Sequence, residues 1–174
     1  GPIENYSSVT SARLENPEPG NWMLYRRTYD GQGFSPLNQI NTSNVKDLKP
    51  VWTFSTGVIE GHEAPPIVNN GVMFVATPMG QVIALNAKTG EEYWRYKRQL
   101  PDDLFQLHPT SRGVGLWEDK LYVFGSCIEK AYKPFYPEGM LVTIIDLLTL
   151  NYFLVIMPPF SHAGTAFTYT HFSE

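Results

Sequence analysis

Two short segments hold the side chains best suited to chemistry. Glu63 sits in Gly61-His62-Glu63-Ala64-Pro65-Pro66, and Arg112 sits in Thr110-Ser111-Arg112-Gly113-Val114. Read by themselves, they are a loop carboxylate and a surface cation ahead of a strand. A guanidinium offers a planar fork of donors that suits bidentate pairing with a carboxylate. The histidines say less: His62 and His108 read as loop or packing residues, and His162 and His171 stand in a stretch without motifs. Cys127 is the single cysteine. No intrachain disulfide or CxxC pair can form, and the lone thiol reads as buried and inert.

These residues hang on a chain of 174 residues, 43% hydrophobic and 17% charged, with a net charge of −4. That composition belongs to a folded chain and excludes a disordered or collagen-like one. An acidic balance gives no basic field for a phosphate backbone, so nucleic acid is not an expected partner. Ten Tyr, ten Phe, fourteen Gly and fourteen Pro suggest short strands and tight turns.

The elements follow from local signals. Ser7-Ser8 opens a short helix through Leu14, and Thr42-Ser43-Asn44 opens another through Leu48, halted by Pro50. Val51–Ser55 reads as a strand. Ile67-Val68 and Val72–Ala76 form a hairpin around Asn69-Asn70-Gly71, because Asn-Gly accepts the positive φ of a tight turn. Gln81–Leu85 and Glu92–Tyr96 are two further strands. The pattern then recurs: residues 67–75 align with residues 115–123 at an offset of 48. A period of about 40–50 residues with four strands per unit indicates a β-propeller.

A more specific signal is Ala84-Leu85-Asn86-Ala87-Lys88-Thr89-Gly90-Glu91-Glu92-Tyr93-Trp94. It resembles the tryptophan-docking repeat of the quinoprotein alcohol dehydrogenases, which use pyrroloquinoline quinone (PQQ). The resemblance extends over roughly residues 8–123. It includes Asn21-Trp22, Arg27–Gln32, Ser35–Ile40, Asn44–Trp52 and the segment around Glu63. It implies an all-β fold, about two blades from the N-terminal part of an eight-bladed propeller. Trp22, Trp52 and Trp94 read as packing residues within it.

What the family does then becomes an expectation for these residues. Glu63 and Arg112 match positions that bind PQQ, which carries three carboxylates. Beside those charges, Glu63 would be pushed toward its protonated, donating form, and Arg112 would pair with a carboxylate of the cofactor. The family's catalytic Asp and the Glu and Asn ligands of its calcium or lanthanide ion match no position here. Many members also carry adjacent cysteines over the cofactor face, where this chain has Gln106 and Leu107. Leu107 or His108 would cover that face instead, which points away from methanol and toward longer or polymeric alcohols. The resemblance further implies a periplasmic enzyme with a cytochrome c or similar acceptor. A propeller of the same repeats without cofactor, serving in assembly, is the alternative, and an inactive truncated product is another.

The chain divides by this reading into an N-terminal segment (1–49), propeller blades (50–123) and a divergent tail (124–174). At the 48-residue offset Val142 stands where Trp94 would recur. At an offset of 60, Asp146 and Thr149 match Asn86 and Thr89, but Leu150 and Leu154 replace Gly90 and Trp94. The apolar run Met140–Met157 reads as a buried strand pair, a non-native tail after a reading-frame change near Val123, or a membrane span; a bilayer partner is the least expected.

Overall fold

In the computed structural model, which describes residue 3 and residues 6–99, 109–127, 140–157 and 168–172, the chain forms two antiparallel sheets. The first contains β1 (Ile67–Asn69), β2 (Val72–Thr77), β3 (Gln81–Asn86) and β4 (Glu92–Lys97), in that order. The second contains β5 (Val114–Trp117), β6 (Lys120–Cys127), β7 (Met140–Asp146), β8 (Tyr152–Met157) and β9 (Thr168–Phe172). The first sheet has the four strands expected of a blade; the second carries a fifth, β9.

The 48-residue repeat is visible in the register. Ile67 pairs with Phe74, and Gly115 pairs with Tyr122. The tight turns agree as well. Asn70 (φ 48°) and Gly71 (φ 79°) both adopt positive φ, the requirement of a two-residue hairpin loop that matches strand twist. Glu118, 48 residues after Asn70, also has positive φ (53°).

The core lies between the sheets. Ile67, Val72, Phe74, Val82 and Ala84 of the first sheet meet Val114, Leu116, Leu121, Val123 and Ile145 of the second. The N-terminal segment joins both. Val9 exchanges backbone hydrogen bonds with Glu118 (2.9 and 2.7 Å), and Trp22 does so with Val68 (2.8 and 2.9 Å). Helix α1 (Ser11–Glu15) is capped by Thr10, whose Oγ1 accepts from the Arg13 amide; Ser7 and Ser8 are not its caps. Arg13 instead clamps this segment to β1. Its guanidinium donates to Ser8 O (2.7 Å), Asn69 Oδ1 (2.9 Å) and Glu18 Oε1 (2.7 Å). The second expected helix is a single 3-10 turn, Val45–Asp47.

Val51–Ser55 is not a strand. Residues 52, 54, 56 and 58 are half-buried while 51, 53, 55 and 57 are exposed. The segment is therefore extended and lays one face on the first sheet. Among the described residues no strand lies beside it to share a ladder of backbone hydrogen bonds. Its anchor is Trp52, whose Nε1 donates to Ala87 O (3.2 Å). The ring rests against Gly90, where an added Cβ would lie 2.6 Å from Trp52 Cδ2.

Within Met140–Met157 the two strands β7 and β8 pair from Met140↔Met157 to Ile145↔Tyr152. Among the described residues no helix is long and apolar enough to cross a membrane. The connecting turn repeats the β3–β4 turn bond for bond. Asn86 Oδ1 accepts from the amides of Lys88 (2.9 Å) and Thr89 (3.2 Å). Asp146 Oδ1 accepts from those of Leu148 (3.0 Å) and Thr149 (2.9 Å). Gly90 N donates to Asn86 O and Leu150 N to Asp146 O, both at 2.8 Å. Ala87 N donates to Gly71 O and Leu147 N to Asp119 O, at 2.9 and 2.8 Å. The docking motif here is thus eroded only in the residues that seat a tryptophan, not in the turn that builds the seat.

Two outcomes follow for stability. Asn86→Ala and Asp146→Ala should each cost about 1 kcal/mol, the net value of lost side-chain hydrogen bonds, in urea unfolding; a loss at 86 with none at 146 would mean that the second turn does not hold. The Arg13 guanidinium and the Asn21 amide draw the Glu18 carboxyl from its ordinary 4.5 down to about 2. A depressed folded-state value means stability that is full above pH 4.5 and lost as pH falls toward 2. Glu18→Gln should remove that part of the acid loss in melts taken across this range.

Candidate functional site

Glu63 and Arg112 lie 49 residues apart and meet in space, with Arg112 Nη1 2.6 Å from Glu63 Oε2. Each stands ahead of the first strand of a different sheet. Glu63 precedes β1 by a few residues, and Arg112 precedes β5. The pair therefore marks the end of the molecule at which both first strands begin. Both side chains remain open, at 85% exposure for Arg112 and 44% for Glu63.

The loop before Glu63 is held by residues distant in sequence. Thr56 O accepts from Gln81 Nε2 (3.3 Å) and from Arg95 Nη1 (2.9 Å), which fixes the loop to β3 and β4. Arg95 also lies over the Phe54 ring, 5.8 Å from its centroid. His62 closes the loop on itself: Nδ1 is 2.8 Å from Glu60 O and Nε2 is 3.0 Å from Thr56 Oγ1. A carbonyl can only accept, so Nδ1 carries a proton, and Nε2 shares a hydrogen bond with the Thr56 hydroxyl. His62 is a brace, in keeping with its reading as a loop residue. After Glu63, Ala64 packs on the core.

Arg112 is placed by its neighbours in the chain. Gly113 has φ 131°, a conformation essentially limited to glycine. Ser111 Oγ accepts from the Gly113 amide (3.3 Å). Upstream, Met79 N donates to Pro109 O (3.0 Å), so the β2–β3 connection holds the approach to Arg112.

Thr56, Gln81, Arg95 and Met79 were not singled out from the sequence. Their partners lie 25 to 39 residues away, and no local pattern announces such bonds. Gln106, Leu107, His108 and His162 lie outside the described residues, as do the side chains of Cys127 and His171. Among the described residues, no three His, Cys, Asp or Glu side chains converge on a point where a metal ion would sit. An acceptor and a guanidinium at one open end fit a polyanionic organic group better than a cation.

The pair adds little to the fold as it stands, because exposed ion pairs contribute only about 0–1 kcal/mol. Glu63→Gln and Arg112→Ala should each shift the urea midpoint by an amount equivalent to less than about 1 kcal/mol. A larger loss for either would make the pair a structural staple.

The sequence model of the PQQ glucose, ethanol and alcohol dehydrogenase β-propeller domain matches residues 22–135. The chain is 39% identical over 126 residues to the dehydrogenase subunit of the quinone alcohol dehydrogenase of Gluconobacter oxydans, covering 71% of this chain and 16% of that one. It is 36% identical over 122 residues to quinoprotein glucose dehydrogenase A of Acinetobacter calcoaceticus, covering 66% and 15%. The solved quinohemoprotein alcohol dehydrogenase ADHIIG of Pseudomonas putida superposes with a TM-score of 0.67 at 33% identity, covering 85% of this chain and 21% of that one. The chain thus spans about a sixth of the length of the curated relatives it matches. Its two sheets are part of a propeller, and the chain belongs to the PQQ-dependent dehydrogenase β-propeller family.

Proposed function

We propose that this chain is the part of a PQQ-dependent alcohol dehydrogenase that presents Glu63 and Arg112 to the cofactor. The observation that carries the reading is their pairing: one residue from ahead of each sheet's first strand, joined at 2.6 Å and open to a ligand. The cofactor, when bound, supplies a quinone that accepts a hydride from the alcohol.

The residues of this chain bind and orient. Arg112 offers donors on both of its terminal nitrogens, so the guanidinium can hold Glu63 with one edge and a ligand carboxylate with another. Glu63 fixes the plane of that guanidinium. Thr56 ties the Glu63 loop to β3 and β4, and His62 braces it from within. Proton abstraction from the alcohol and coordination of a calcium or lanthanide ion fall to the rest of the enzyme. The substrates are primary or longer-chain alcohols, the electron acceptor is a cytochrome c or similar carrier, and the compartment is the periplasm. A propeller serving only in assembly has no use for an open charge pair at this end.

The test is PQQ titration into the apo form of a full-length dehydrogenase carrying this segment. Arg112→Ala should weaken binding by about 1.5–3 kcal/mol, the value of hydrogen bonds to a charged group. Glu63→Gln keeps the shape and a neutral hydrogen bond, and should cost about 0.5–1.5 kcal/mol. Unchanged affinity in both variants would remove the two residues from the cofactor site.

A further inference from the structure

The two equivalent turns differ in what they seat. In the first, Trp52 lies on the backbone of Gly90 (φ 76°) and its Nε1 donates to Ala87 O. In the second, the place of Gly90 is taken by Leu150, which keeps the same left-handed conformation at φ 60°. The place of Ala87 O is taken by Leu147 O, the same number of residues before it. The tryptophan on the first sheet's side of the core that Leu150 also joins is Trp94. It pairs with Ala84 on the face of the first sheet that meets the second, and its ring is 6.2 Å from that of Phe74. Trp94 and Leu150 pack against the same core cluster. Yet Trp94 Nε1 is buried and has no hydrogen-bond partner among the described residues.

We infer that Leu150 blocks a tryptophan seat whose hydrogen-bonded frame is otherwise intact, so that Trp94 remains unseated and the joint between the two sheets lacks its staple. The physical reason is steric. An added Cβ at Gly90 would sit 2.6 Å from the Trp52 ring, closer than a Cβ can approach anything. Leu150 has that Cβ and three further carbons, so the indole cannot lie on the turn or bring its N–H to Leu147 O. The left-handed φ, which L residues adopt at a cost of about 1–2 kcal/mol, is held because the turn still makes its bonds through Asp146. Leu150 thus keeps the turn and forfeits the docking. Glu63 and Arg112 stand just ahead of β1 and β5, so this joint is also what sets one against the other.

The experiment follows the indole N–H resonances of the full chain by hydrogen exchange. Trp94→Phe assigns the Trp94 signal. Leu150→Gly should slow exchange of the Trp94 N–H by at least about tenfold, a factor equal to 1.4 kcal/mol of added protection. Leu150→Asn relieves the left-handed strain but keeps a Cβ, and should leave the exchange rate unchanged. Equal slowing in both variants, or none with glycine, would overturn the inference. The reciprocal change guards against a misfolded variant: Gly90→Asn should unseat Trp52 and speed exchange of its N–H by a similar factor. An unchanged Trp52 signal would show that a Cβ in this turn does not control the seat.

Discussion

The arrangement depends on one close approach, an indole lying on a backbone with no side chain between. Trp52 reaches Ala87 O only because residue 90 lacks a Cβ. The same residue must adopt positive φ for the turn to close, which glycine does without strain. These two demands fall on one position for different reasons, one local and one tertiary. The turn in turn sets the spacing of β3 and β4, and so the positions of Ala84 and Trp94 on the face that meets the second sheet. A lone extended segment with open edges is thereby fixed by a side chain rather than by a ladder of backbone bonds.

The charge pair inherits this construction. Neither Glu63 nor Arg112 lies in a strand. Each is held by a loop whose far end is tied to a sheet: Thr56 to Gln81 and Arg95, Pro109 to Met79. Loops carry function well when a rigid scaffold sets their ends. Here the scaffold is the packing of two sheets, and the separation of the two charged groups is set by how those sheets meet. A carboxylate and a guanidinium left open at such a junction gain little from each other in water. Their value rises once a ligand covers them and lowers the local dielectric.

The sequence carried the hairpins and the repeat clearly, because they rest on local signals. Asn70-Gly71 and Asn86 through Gly90 encode turn geometry within a few residues. Val51–Ser55 reads as a strand and is none, for the opposite reason. Its alternation is real and reflects one buried face, but a strand is defined by its neighbour, and alternation does not supply one. Thr10 took the cap expected of Ser7 and Ser8 because capping depends on where the first helical turn begins. The bonds from Gln81 and Arg95 to Thr56 were illegible, since nothing near either residue refers to the other. Glu63 and Arg112 drew attention through family pattern; their contact across 49 residues is a product of the tertiary fold.

The second turn separates two properties that the docking motif usually joins. Asp146 and Thr149 reproduce the side-chain bonds by which Asn86 and Thr89 close the turn, though not the bond from Asn86 Nδ2 to the Tyr93 hydroxyl. A carboxylate accepts from two amides as well as a carboxamide does, and Lys120 Nζ stands between Asp146 Oδ2 (3.1 Å) and Asp119 Oδ1 (2.7 Å). Four or five residues are therefore enough to specify the turn, whatever stands at its last position. Seating a ring requires more: a bare backbone at residue 150 and an acceptor left free at residue 147. A sequence comparison that weights glycine and tryptophan sees the motif disappear at this point, whereas the backbone hydrogen bonds continue unchanged. The blade is thus specified by its turns, and the strength of its junction with the neighbouring blade is specified separately, by whether one Cβ is present.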